Sequence, residues 1–505
     1  MSPRPEQMPA APVSRKRATL LLVLGGYLNT GIIIVQGLLL IPLYLHFIGA
    51  ELYGLWMASG GILAMLGVVN FGISSMLVQR VASAYGQQDF AKAGAYFVNA
   101  MLVYVAIVVV FMAIGMLCSL ALPELLKVSG DKGEQLRQCF QLAVFSAALG
   151  MLNECLRAFP QALLRPVFSM LALAAARIVG VLATGILLYR EAGLWAIPVG
   201  IFVTEVLVFF LGLAQAVVLL RSLHTKAKVD LVIVKEFTHV GGFLFVARLG
   251  HAISKESDPL LITLLLRPEL AAAYVVTRKA ADIISQMLAV IYGASHSAFS
   301  HLSGQGNLTR TNSVATRLLA MVFVLGLLGF VPYVGANHYF VSLWVGDAFS
   351  AGRDVIFFIG LGFLASNFRN MLLQTLNGLG DFVYTSKLTF FEGLGRVGVG
   401  AVFLYFFGII GVPLSLTVAS CITIVFLGMK LKSVSTLEFP GSELAKALTV
   451  TIGLLSSAVM ISFLVEATQS WLFFVLIALA LTVSTLIVCV LSYRHIFQSL
   501  LKGLR

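Results

Sequence analysis

Arg248, His251, Lys255 and Asp258 follow one another 3, 4 and 3 residues apart in an otherwise apolar stretch. At about 100° per residue they share about 80° of a helix surface, so one face carries three cationic or cation-forming groups and a carboxylate. Charge at the centre of a bilayer costs at least about 2.5–3.5 kcal/mol per residue on insertion scales, so such side chains face a cavity or a partner. Arg and Lys bind phosphate oxygens strongly where water is scarce, which makes an anionic solute the natural ligand of such a face. Glu256 points away from the stripe.

The same chemistry recurs further along. Arg278 and Lys279 precede Asp282 by four and three residues, so Asp282 can neutralise either base on its own helix. Glu392 and Arg396 stand four apart in the favourable acid-before-base order. Arg177, Arg369 and Glu205 have no local partner. Seven intramembrane cations (Arg177, Arg248, Lys255, Arg278, Lys279, Arg369 and Arg396) thus meet five acids (Glu205, Glu256, Asp258, Asp282 and Glu392), before His251 is counted. The excess predicts a cationic cavity suited to phosphate or pyrophosphate. The alternative is structural: neutralised pairs that let helices insert and fix their rotation, with Arg278 and Lys279 reaching for the interface. Asp258 and Glu205, then Asp282 and Glu392, are the carboxylates expected to couple transport to Na+ or H+. No other cofactor is expected. Cys118, Cys139, Cys155, Cys421 and Cys489 show no metal-like pairing and read as small packing residues.

The elements that hold these groups must be membrane helices. The chain is 59% apolar and 11% charged, against about 25% charged in soluble domains. Fourteen apolar stretches fall near 19–47, 54–78, 95–122, 138–162, 167–189, 193–220, 237–266, 271–300, 316–343, 354–377, 384–408, 411–431, 444–466 and 470–493. Each is long enough to cross about 30 Å of hydrocarbon as helix, and the alternating ten-residue segments of a membrane barrel are absent. The fold class is therefore an all-α polytopic membrane protein. Of the 34 Lys and Arg, only Lys127, Lys132, Arg137, Arg190, Arg267 and Arg353 lie in odd-numbered connections; apart from the seven within spans, the rest lie in the tails and even-numbered connections. The positive-inside rule then places both termini in the cytoplasm, and the net charge of +12 needs no nucleic acid to explain it. No cleavable signal sequence is expected, because residues 1–18 are polar and Pro-rich.

A landmark repeats about 215 residues apart: Gly193-Leu-Trp-Ala-Ile-Pro198 and Gly408-Ile-Ile-Gly-Val-Pro413. Pro42 with the following Glu51-Leu, and Pro259 with Glu269-Leu, echo it at nearly the same offset. An even number of spans per repeat implies two parallel six-helix lobes related by pseudo-two-fold symmetry, the arrangement of carriers that rock about a central site. The organisation expected is a cytoplasmic tail at 1–18, a first lobe at 19–220 (spans 1–6), a basic linker at 221–236 and a second lobe at 237–431 (spans 7–12). Residues 432–505 would hold two peripheral spans and a cytoplasmic tail. No phosphate-loop motif occurs. The longest outer connection, Pro123 to Arg137, is short for an enzyme acting at the outer face.

Phe47-Ile-Gly49-Ala-Glu51-Leu-Tyr53-Gly54-Leu-Trp56, Asn70-Phe71-Gly72 and the Arg80 to Asp89 connection resemble the start of the polysaccharide and O-antigen flippases. These belong to the multidrug/oligosaccharidyl-lipid/polysaccharide exporter superfamily. Glu269-Leu-Ala-Ala-Ala-Tyr274, Leu343-Trp344-Val-Gly346 and Leu376-Asn-Gly378-Leu-Gly380 extend the resemblance over nearly the whole chain. It implies twelve core helices with two more, in a bacterial inner membrane. Implied too is transfer of an undecaprenyl-diphosphate-linked oligosaccharide to the outer leaflet by alternating access, through a cationic lumen. Such a protein would meet a polyprenyl-diphosphate-linked glycan, membrane lipids and a polysaccharide polymerase or glycosyltransferase complex, and would serve O-antigen, capsule or exopolysaccharide synthesis. Relatives often carry Asp where this chain has Asn70. Competing readings are a peptidoglycan-precursor flippase and an ion-coupled multidrug exporter; the second needs an acid-rich cavity, the reverse of this charge balance.

Overall fold

The computed structural model describes residues 15–67, 73–223, 229–304, 308–434, 441–464 and 470–493. Among the described residues there is no strand. Fifteen helices follow in order: α1 (Arg15–Phe47), α2 (Ala50–Leu66), α3 (Ile73–Gly86), α4 (Phe90–Leu125), α5 (Asp131–Ala162), α6 (Val167–Tyr189), α7 (Ala196–Ser222) and α8 (Leu231–Leu265). Then come α9 (Pro268–Gly304), α10 (Leu308–Val345), α11 (Arg353–Gly378), α12 (Phe382–Phe407), α13 (Gly411–Val434), α14 (Gly441–Leu464) and α15 (Trp471–Ser492). Among the described residues, ten stretches are long and apolar enough to cross a membrane, one of them joining α12 and α13.

The expected span at 54–78 is divided between α2 and α3; Gly67 ends α2, its N–H donating to the Leu63 carbonyl. Asn70-Phe71-Gly72 lies outside the described residues. The expected spans at 237–266 and 271–300 are helical in α8 and α9, parts of which lie outside the residues covered by that count.

The chain divides into two compact units, Met1–Leu249 and Gly250–Arg505, so the dividing point falls inside α8. In the first unit α5 packs against α4 and α7, with Phe97 and Phe159 stacked at 4.3 Å between ring centroids. Small residues bring α6 and α7 close. A side chain added at Gly180 would meet Thr204, and one at Gly200 would meet Thr184. The hydroxyls of those threonines donate to Gly200 O (3.0 Å) and Gly180 O (2.9 Å) on their own helices, an arrangement suited to membranes, where close packing replaces the hydrophobic effect between helices. The first turns of α8 are tied down in this unit: Asp230 N–H donates to Asn99 Oδ1 (2.8 Å) and Arg80 pairs with Glu236.

The second unit is built around α11, packed by α9, α10 and α13, while α14 and α15 pack on α10. Tyr333 and Asn337 of α10 both donate to the Thr277 carbonyl, at 3.1 and 2.9 Å, and Tyr339 donates to Ser462 O of α14 (3.0 Å). The α8 and α12 backbones touch, because a side chain at Gly393 would run into Gly250.

The repeated landmark is a repeated local conformation. Gly193 has φ 58 and Gly408 has φ 59. Each opens a 3-10 turn, Gly193–Trp195 and Gly408–Ile410, that leads straight into α7 or α13. A left-handed residue at this position favours glycine, which is why the sequence echo survives there.

Candidate functional site

The charges singled out in the sequence separate into three groups. The first is a buried network in the second unit. Asp258, on α8, accepts Arg396 Nη2 from α12 at 2.7 and 2.8 Å, Arg278 Nη1 from α9 at 3.0 Å, and the Tyr274 hydroxyl at 3.0 Å. Arg278 Nε also donates to Asp282 Oδ2 (3.2 Å), and Arg396 Nη1 to Ser254 Oγ (3.2 Å). Arg369 of α11 pairs with Glu392 of α12 and donates to Asn370 Oδ1 (2.8 Å). Asp258, Arg278, Arg369, Glu392 and Arg396 are all buried.

This pairing corrects one expectation. Glu392 and Arg396 stand one turn apart on α12 but do not pair: Glu392 takes Arg369, and Arg396 takes Asp258. A same-helix pair is worth only about 0.2–0.5 kcal/mol, whereas leaving Arg369 or Asp258 buried without a counter-charge costs several times that. Neutralisation across helices therefore wins. The Arg278–Asp282 pair does form on its own helix, as its spacing predicts.

Three arginines here meet three carboxylates, so the network is neutral. Asp258 has its two oxygens occupied by four hydrogen bonds, close to the lone-pair capacity of a carboxylate. In this arrangement it holds arginines and leaves no site for a cation.

The second group stays accessible. His251 and Lys255 are exposed on α8 and Lys279 is half-buried on α9. The Lys255 ammonium has a loose contact of 3.8 Å with Glu256. The Arg248 side chain lies outside the described residues.

The third group lies in the first unit. Glu205 on α7 accepts Asn153 Nδ2 of α5 at 2.7 Å, and the same amide donates to the Glu205 carbonyl at 3.0 Å. Arg177 on α6 is half-buried, donates to Asn29 O of α1 (3.4 Å) and has Arg157 and Glu205 as charged neighbours. Beside them is a cavity of about 650 Å³ whose polar lining is Asn29, Ser74, Glu154, Arg157, Gln161 and Ser169. Glu154 and Arg157 are absent from the sequence-based site. They sit near the end of the expected span at 138–162, outside the charges that the sequence analysis singles out. The signal was present: Glu154, Arg157 and Gln161 are spaced 3 and 4 apart, the same spacing as the stripe on α8.

Residues 17–303 match the family described as "Polysaccharide biosynthesis protein". No curated protein's sequence matches the chain. Among solved structures, the chain is similar to "Lipid II flippase MurJ, inward closed conformation", with 13% identity and a TM-score of 0.74 over 95% of this chain and 100% of that one. An inward-facing multidrug resistance MATE family transporter of the MOP superfamily gives 14% and 0.65 over 83% of this chain and 98% of that one. An outward-facing structure of such a transporter gives 15% and 0.54 over 83% and 96%. At these identities the likeness is one of fold.

Proposed function

Because the chain belongs to the polysaccharide biosynthesis protein family, we propose that it is a flippase carrying an undecaprenyl-diphosphate-linked oligosaccharide from the cytoplasmic to the outer leaflet. The family match over more than half of the chain carries this reading; the transporter fold and the cations left unneutralised in the membrane region support it. It would work in a bacterial inner membrane with both termini cytoplasmic, feeding synthesis of O-antigen, capsule or exopolysaccharide. No catalytic step is assigned to it. The diphosphate and sugars would be held by polar and cationic side chains while the polyprenyl tail stays in lipid. Alternating access then requires contacts that differ between inward and outward states, since a ligand bound equally by both shifts nothing.

The buried arginines are engaged with carboxylates, so diphosphate contacts fall first to Lys255, His251 and Lys279. Coupling to H+ or Na+ falls to Glu205 before Asp258, because Glu205 accepts one side-chain amide and no charged donor at hydrogen-bond distance among the described residues.

Lys255→Ala tests the cationic contact without touching the fold, because its side chain is 57% exposed and its ion pair with Glu256 is long, at 3.8 Å. A charge-assisted contact is worth about 1.5–3 kcal/mol, so surface-glycan export should fall about tenfold or more while membrane levels of the protein stay normal. Normal export would remove Lys255 from the site. Depleting the wild-type protein should strip surface glycan from intact cells; lysis of the cells would point instead to a peptidoglycan precursor, and drug sensitivity alone to an exporter.

A further inference from the structure

The cavity in the first unit has a chemistry of its own. It is bounded by α1, α3, α5 and the beginning of α6, and its volume lies within the roughly 300–1,000 Å³ of small-molecule sites. Glu154 supplies acceptors, Arg157 supplies donors, Asn29 and Gln161 supply both, and the hydroxyls of Ser74 and Ser169 add acceptors, that of Ser169 donating to Pro166 O at 2.9 Å. Arg157 is anchored on α5 by its Nε, which donates to Asn153 O at 3.3 Å.

A lining of this kind discriminates by charge. A diphosphate asks for net positive charge, but Glu154 and Arg157 cancel one turn apart. A metal ion asks for several carboxylates, and no cluster of three or more metal-ligating side chains occurs among the described residues. A prenyl chain asks for a dry wall, whereas six of the thirteen lining residues are polar and the other seven, among them Val78, Met170 and Leu173, give a sugar ring an apolar face to lie on. A sugar ring carries many hydroxyls, each both donor and acceptor, with no net charge. That pattern matches a lining of one acid, one base, two amides and two hydroxyls.

The geometry points to this cavity as a glycan subsite: it holds a neutral, hydroxyl-rich sugar residue of the lipid-linked oligosaccharide. This assignment rests on the flippase reading. Neutral hydrogen bonding in the cavity would select the glycan, and charge elsewhere would supply affinity for the head group common to all polyprenyl-diphosphate lipids.

Gly26 provides a clean test. It lines the cavity, and a Cβ added there meets nothing within 4 Å, so Gly26→Leu adds bulk at the cavity wall without a backbone collision. Gly398 on α12 is equally open and lies in the other unit, so Gly398→Leu is the matched control. The full-length protein, in lipid nanodiscs, is probed with two compounds. One is the phosphate-free oligosaccharide released by mild acid from the producing cells' own lipid-linked pool. The other is inorganic pyrophosphate. Gly26→Leu should weaken the oligosaccharide at least tenfold, about 1.4 kcal/mol, and leave pyrophosphate unchanged. Gln161→Ala should weaken the oligosaccharide a few-fold, and Gly398→Leu should change neither.

Oligosaccharide binding that survives Gly26→Leu overturns the subsite. So does pyrophosphate binding by wild type with no oligosaccharide binding, an outcome that leaves the flippase reading standing. Loss of pyrophosphate in Gly26→Leu would make the cavity an anion site and also overturn the assignment. If neither probe binds the wild-type protein, the subsite and the flippase reading fall together. Melting curves check the fold of each variant; should Gly26→Leu fail to fold, Gln161→Ala and Glu154→Gln decide the matter by the same two probes.

Discussion

Asp258→Ala should leave almost no folded protein in the membrane. The substitution deprives Arg396 of its only carboxylate within salt-bridge distance among the described residues, and Arg396 has a side chain only 4% exposed; Arg278 keeps Asp282. Breaking a buried pair by removing one partner costs about 3–5 kcal/mol, a large share of the roughly 5–15 kcal/mol that holds a typical protein together. The combined variant Asp258→Asn with Arg396→Met should recover part of the loss, because removing both charges avoids leaving either one buried and alone. Membrane abundance of a tagged protein and its melting temperature in detergent give the readout. An Asp258→Ala protein that melts like wild type but no longer transports would make this carboxylate a working group of the transport cycle and not a clamp.

An effect of similar size is expected at the crossing of α8 and α12. Gly393→Val would place a branched side chain against the Gly250 backbone, and the atoms in its way belong to a main chain that cannot rotate aside. Overpacking in a tight core costs typically about 1–3 kcal/mol; with backbone as the obstacle the value should reach or exceed the upper end. Gly398→Val, five residues along the same helix with nothing within 4 Å, should change stability by no more than about 0.5 kcal/mol. Equal melting temperatures for the two variants would show that the helices can separate and that the contact is incidental.

How much of this was legible in the sequence depends on the range of each interaction. The hairpins at Gly193 and Gly408 were readable because a left-handed turn leaves a local mark, and Arg278–Asp282 because its partners share a helix face. Arg396 meets Asp258 across 138 residues of sequence, and Arg369 meets Glu392 across 23; neither distance has a period that a sequence can display. A count of intramembrane charges therefore overstates the cations available to a ligand, since it cannot tell a neutralised arginine from an open one. The opposite error hid Glu154 and Arg157. They lie near the end of a span drawn by apolarity, and the polar lining of a cavity lowers apolarity just where a binding site needs it.

The distance between Asp258 and its partners also sets an order of events at synthesis. Arg278 is made 20 residues after Asp258, but Arg396 only 138 residues after it. At about 5–20 residues per second, α8 waits roughly 7–30 s before the helix that completes its neutralisation leaves the ribosome. During that interval the nascent chain holds a carboxylate in or beside the bilayer with part of its hydrogen bonding unmade, so α8 should stay near the insertion machinery until α12 arrives. Nascent chains stalled before residue 382 should crosslink to the insertion channel through α8, and chains stalled well beyond residue 407 should have released it. Release of α8 at the same moment in both would show that Arg278 alone is enough to let it go.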